Sequence, residues 1–177
     1  MTRVLKVALF LALSLLAVSA VVYYRTARGV GRQAVCRAHL YNLVAAATMY
    51  AWDNDGYVPP ADRWVTVLAE YMKGPDTDLR CPEDHSRALS SYAINSALAG
   101  RRFGGRAGKQ LLEVGDLLDV GDEAVVLFFE TAHPGDNPAG GRTDVVSLPR
   151  HPDGNCYGLL PWGTVCTVEP PPFELSE

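Results

Sequence analysis

The feature that most constrains this chain is an uncharged run of eighteen residues, 7–24, closed by Lys6 on one side and Arg25 on the other. Built as a helix it would be about 27 Å long, close to the hydrocarbon thickness of a bilayer. It is apolar on every side, whereas a helix of a soluble core normally keeps one face for water. The run is therefore expected to lie in a membrane. Tyr23 and Tyr24 stand where an interfacial aromatic belt belongs, which favours a retained anchor. Val18-Ser19-Ala20 also presents the small residues that a signal peptidase reads, so cleavage after Ala20 is the other outcome.

Helical character continues past the run. No proline occurs between Gly31 and Asp53, and Leu40, Leu43, Val44, Ala47, Tyr50 and Ala51 recur at three and four residues. One helix from Leu5 to Trp52, with a bend allowed near Gly29 and Gly31, would be about 70 Å long. Asp53-Asn54-Asp55-Gly56 stops it, with Gly56 at the left-handed position and Pro59-Pro60 barring continuation. A short helix is expected over 62–72, capped by Asp62, and strands over 90–95 and 123–131. A terminal hairpin pairs 155–159 with 164–168. Residues 100–108 and 133–142 are rich in glycine or proline and are expected to be loops. These elements predict an α+β fold: a long N-terminal helix, transmembrane in its first half and amphipathic in its second, packed on a small antiparallel sheet. Three segments follow: an anchor or signal peptide over 1–29, a head over 30–168, and an extended or disordered proline-rich tail over 169–177.

Formal net charge is −4, and four arginines, Arg25, Arg28, Arg32 and Arg37, cluster just past the apolar run. Directly beside the apolar run, these fit lipid headgroups better than nucleic acid, since no stacking aromatics interleave with them. On topology two signals conflict. Four arginines after the span against Arg3 and Lys6 before it favour a cytoplasmic head. Four cysteines, Cys36, Cys81, Cys156 and Cys166, behind a signal-like segment favour an oxidising compartment and two disulfides. The cysteines are given the greater weight, which predicts a single-pass inner-membrane anchor with a periplasmic or extracellular head.

Cys36-Arg-Ala-His39-Leu-Tyr-Asn-Leu43 and Tyr50-Ala-Trp-Asp-Asn-Asp-Gly-Tyr-Val-Pro-Pro60 are followed in order by Leu79-Arg-Cys-Pro82, Ser91-Tyr-Ala-Ile-Asn95 and Arg150-His-Pro-Asp-Gly154. This ordered set resembles the type IV pilin-like proteins related to type II secretion pseudopilins. The subgroup in question carries a Cys-x-x-Asn-Leu helix, a Tyr-x-x-Asp-x-x-Gly-x-x-Pro-Pro turn, an Arg-Cys-Pro segment, a Ser-Tyr-x-x-Asn strand and a terminal Asp-Gly-His-Val. The resemblance implies a pilin-like fold and partners among pilin-like or secretion-system subunits, met through the N-terminal helix. Two departures are plain. The first nine residues hold no Gly-Phe-Thr-Leu-Ile-Glu signal, and Pro161-Trp-Gly-Thr-Val165 stands in place of Asp-Gly-His-Val.

Two cysteine groupings invite chemistry. Cys36 with His39 and Cys81 with His85 offer two thiolates and two imidazoles, a structural zinc set. The favoured alternative is a Cys36–Cys81 disulfide, worth about 4 kcal/mol in the chain-entropy picture. Cys156 and Cys166, on opposite arms of the hairpin, suit a cross-strand disulfide worth about 2.7 kcal/mol, with free buried thiols as the alternative. Asp53-Asn-Asp-Gly56 begins like a calcium loop, but its twelfth position is Trp64, which carries no oxygen. His133, Asp144, His151 and Asp153 are expected in separate turns, His151 as a turn cap. No serine elbow, phosphate loop or His-Glu-x-x-His is present, so no catalytic residue or cofactor is expected. The expected function is that of a membrane-anchored structural or interaction subunit of a secretion or surface assembly. The competing expectation is an anchored or secreted extracytoplasmic binding module with no assembly role.

Overall fold

The computed structural model describes residues 2–72, 78–102, 125–160 and 163–173. Its longest element is a single α-helix, α1 (Arg3–Asp53), which passes through Gly29 and Gly31 unbroken. Each glycine costs only about 1 kcal/mol against alanine, too little to end a helix rich in alanine and leucine. Its two halves meet different surroundings. Phe10, Leu13, Leu16 and Val21 point into open space, and this first half is a candidate single membrane span. From Gln33 onward one side is buried: Cys36, His39, Leu40, Leu43, Val44, Ala47 and Ala51. That is the stripe the residue spacing sets. Tyr50 sits at its margin, edge-on to Tyr71 at 5.8 Å between ring centres. The stop is as expected: Gly56 N–H donates to the Ala51 carbonyl at 2.9 Å, and Asp55 joins Gly56 in the left-handed region.

The second helix, α2 (Trp64–Ala69), is shorter than expected and Asp62 does not cap it. Residues 61–63 form a turn instead, and the free Val65 N–H is taken by Asn137 Oδ1 at 2.9 Å, from a loop distant in sequence. The strands are β1 (Ser90–Asn95), β2 (Val125–Gly135), β3 (Ala139–Gly140), β4 (Asn155–Leu160) and β5 (Thr164–Thr167). They form one sheet in the order β3-β1-β2-β4-β5. The expectation of an antiparallel sheet needs correcting. β3 runs parallel to β1, so the sheet is mixed, and half of the expected 133–142 loop is strand. Two small residues suffice for β3, because the Pro138 and Gly140 carbonyls accept from Ile94 and Ser96 N–H at the sheet edge. Residues 103–108, 123–124 and 161–162, parts of an expected loop, strand and turn, lie outside the described residues.

The buried half of α1 lies across the sheet on β4. Contact is closest at Gly158, where an added Cβ would meet Val44 Cγ2 at 2.8 Å and the Leu40 carbonyl oxygen at 3.3 Å. Phe128, the cross-strand partner of Gly158, tilts against Trp64 of α2 at 5.2 Å. A side chain at 158 must push the helix off the sheet. Gly158→Val is expected to destabilise the head by about 1–3 kcal/mol in urea unfolding of the detergent-solubilised chain. Unchanged stability would mean that helix and β4 do not approach so closely.

The opposite face of the sheet carries Ala93, Val126, Phe129 and Tyr157, and a segment expected to be extended or disordered covers it. As far as Phe173 the proline-rich tail takes the extended one of the two expected forms, and residues 174–177 lie outside the described residues. The Phe173 ring lies 5.2 Å from Phe129 and 6.5 Å from Tyr157. Its carbonyl accepts from Asn95 Nδ2 at 2.7 Å, and the Pro172 carbonyl accepts from Val126 N–H at 2.8 Å. Burying one such ring is worth about 1.5–3 kcal/mol, enough to hold an already stiff proline segment.

Candidate functional site

Between α1 and the sheet, four polar side chains from four separate segments converge. Cys36 comes from α1, where the 3.6-residue period puts it on the same buried side as Leu40 and Leu43. Cys81 follows Arg80 in the stretch before β1, and its N–H donates to Ser91 Oγ at 3.0 Å. Glu130 sits in β2, two residues after Phe128 and so on the same, helix-facing side of the pleat. His151 lies in the turn before β4, closed by Gly154 N–H donating to the His151 carbonyl at 3.1 Å. Their four ligand-type atoms all fall within 4.8 Å of one another, and all four residues are buried.

The contacts are specific. Glu130 Oε1 accepts from the Cys36 thiol at 3.4 Å and faces His151 Nε2 at 3.2 Å, while Oε2 accepts from Cys156 N–H at 2.6 Å. His151 Nε2 also reaches Cys81 Sγ at 3.3 Å. Behind them the Tyr92 hydroxyl donates to Cys36 Sγ at 3.3 Å, and His39 Nδ1 meets that hydroxyl at 3.2 Å. Glu83 N–H donates to Cys81 Sγ at 3.4 Å.

Electrostatics separate the two thiols. Burial, followed by its hydrogen bond to Cys81, pushes the Cys36 thiol far up, so it stays protonated. Cys81 receives that hydrogen bond and faces His151, and against its own burial its pKa falls to about 6. Burial opposes charge on His151, but hydrogen bonds to Cys81 and Glu130 carry it up to about 9. Glu130 too is held below the usual carboxylate range despite its burial, by His151 and the Cys156 N–H. These shifts favour negative charge on Cys81 and Glu130, positive charge on His151 and a neutral Cys36 thiol in one buried pocket.

Around this pocket the loops are tied to the helix. Arg32 pairs with Glu83 at 2.7 Å, and Gln33 Nε2 donates to Asp153 Oδ2 at 3.0 Å. The cluster is thus the inner part of a clasp joining the helix to the segments on both sides of it.

The expected residues divide unevenly. Cys156 and Cys166 face each other across β4 and β5 and are joined in a disulfide. Cys36 and Cys81 are adjacent but free thiols, in place of the expected bond. The zinc set shares only these two sulfurs with the observed cluster. His39 is buried on the same side of α1 as Cys36 but turns to the Tyr92 hydroxyl, and His85, on a loop, is exposed. Glu130 and His151 take their places. His151 does not cap its turn with its ring, which points inward. Asp153 bonds Gln33, and the exposed His133 stands 3.9 Å from Asp144, so those three form no common site with His151. Glu130 carried one readable signal: a carboxylate ending an apolar strand, on its inward side, must find partners. No family model matches this chain, and neither a curated protein nor a solved structure does.

Proposed function

We propose that the chain is a membrane-anchored, pilin-like structural subunit of a secretion or surface assembly. Residues 7–24 serve as its lateral packing surface, and its head lies on the non-cytoplasmic side. The observation that carries this reading is the continuity of α1: one helix offers an apolar, wholly unburied first half and contributes its second half to the core of the head. An apolar rod with no partner inside its own fold needs lipid or other rods around it. The order of the Cys36, Tyr50 to Pro60, Arg80-Cys81-Pro82, Ser91 to Asn95 and Arg150 to Gly154 motifs supports the pilin-like part of the reading. The Cys156–Cys166 disulfide supports placement of the head in an oxidising compartment. Arg25 and Arg28, exposed just past the apolar run, suit headgroups at the membrane surface.

The test is photocrosslinking in intact membranes from probes placed singly at Leu9, Leu13 and Leu16. Adducts joining this helix to the apolar helix of a second membrane protein, or of another copy, are the expected result. Lipid adducts alone, with the chain remaining a monomer, would replace the assembly reading with that of an anchored binding module.

A further inference from the structure

We propose that Cys36, Cys81, Glu130 and His151 form a binding site for one zinc-class divalent metal ion, which locks the stem helix to the sheet. The site does not depend on the assembly reading. Two sulfurs, one imidazole nitrogen and one carboxylate oxygen form a borderline-soft, four-donor set of the kind that zinc takes in closed structural sites. The spacing fits as well. Metal–ligand bonds of about 2.0–2.3 Å in a tetrahedron place neighbouring donors about 3.3–3.8 Å apart. Here Cys36 to Glu130 is 3.4 Å, Cys81 to His151 is 3.3 Å and His151 to Glu130 is 3.2 Å.

Three of the four donors have outer hydrogen-bond partners, whereas the buried His151 Nδ1 has none among the described residues. Glu83 N–H and the Tyr92 hydroxyl each donate to one sulfur, and Cys156 N–H holds Glu130 Oε2, leaving Oε1 turned to the centre. Such outer contacts orient ligands and stabilise thiolate sulfur. A surface hollow bordered by Val35, His39, Asp78, Arg80 and Asp84 reaches down to Cys81. Coordination needs Cys36 as thiolate and His151 as neutral imidazole, so their protons leave to solvent as the ion enters. A Cys36–Cys81 disulfide is the rival use of the same sulfurs. It would engage neither the carboxylate nor the imidazole and would leave them a buried charge pair beside an apolar bond. A metal ion engages all four groups, and it keeps two neighbouring thiols reduced in a molecule whose other cysteine pair is oxidised.

The experiment uses the full chain, purified in mild detergent under a mild reductant, stripped with a chelator and titrated with Zn2+ against a coloured indicator. One ion per chain is expected. Co2+ in its place should give tetrahedral visible bands and thiolate charge-transfer absorption, both lost in Cys81→Ser. Glu130→Gln, which keeps the side-chain shape, should weaken zinc at least tenfold. Added Zn2+ should protect both thiols of the wild-type chain from alkylation, and chelator should expose them again. Absence of stoichiometric Zn2+ and Co2+ binding by the folded, reduced chain would overturn the proposal. Isolation of the chain with a complete Cys36–Cys81 disulfide and no metal would do the same.

Discussion

Glu130→Ala should unfold the head at far lower denaturant than the native chain, a loss of about 3–5 kcal/mol, the range seen when one member of a buried charge pair is removed. The Glu130 and His151 side chains are both wholly shielded from solvent and lie 3.2 Å apart. Without the carboxylate, the imidazole loses its stronger counter-charge and the Cys156 N–H loses its acceptor at once. The Cys36 thiol loses one as well. None of these groups can turn to water where it stands. Urea unfolding of the detergent-solubilised chain, followed by tryptophan fluorescence with chelator present, excludes any contribution from metal. A loss below about 1 kcal/mol, the level of a surface ion pair, would show that the cluster is wetter than its geometry implies.

Trp64→Ala is expected to be as damaging, about 3–5 kcal/mol, for a different reason. Trp64 is among the largest fully buried side chains and sits where α1, α2 and β2 meet. Its ring leans on Phe128, and its Nε1–H donates to the Pro138 carbonyl at 2.9 Å, tying α2 to the loop that leads into β3. Truncation opens a cavity and removes one of the two donors to that carbonyl, which then keeps only Ile94 N–H. Trp64→Phe separates the two, since it fills most of the space and forfeits only the hydrogen bond. It should recover more than half of the loss under the same unfolding conditions. Equal damage from both variants would mean that the hydrogen bond, not the packing, holds this junction.

Much of the architecture was readable because it is periodic. The stripe from Leu40 to Ala51 repeats at helical spacing, and β1, β4 and β5 are bounded by turns with strand-like residues between them. The failures lie where no period exists. β3 is two residues long, too short for any alternation, and its parallel pairing depends on where β1 happens to run. The cap of α2 comes from Asn137, some seventy residues away. Phe173 stands among prolines, and nothing local tells that the sheet has an uncovered apolar face for it.

The cluster was half legible for the same reason. Proximity in sequence suggested His39 and His85 as companions of Cys36 and Cys81, but the Tyr92 hydroxyl takes up the buried His39 ring and His85 faces solvent from its loop. The actual companions lie at positions 130 and 151, brought in by strand pairing that sequence spacing does not reveal. Only the inward phase of Glu130 on β2 gave it away.

A lock placed where the stem enters the head has a mechanical sense. Force or tilt delivered along α1 from the membrane would reach the sheet through Cys36, Gln33 and Arg32, each bonded to a segment of the head. That holds only if anchor and stem are one rigid helix. Pulsed electron-resonance distances between spin-labelled unnatural residues at Tyr24 and Met49, in lipid nanodiscs, test this directly. Twenty-five residues of uninterrupted helix place the backbones about 38 Å apart, so a narrow distribution near that value is expected. A broad distribution, or one centred well below it, would mean that the helix breaks between membrane and head.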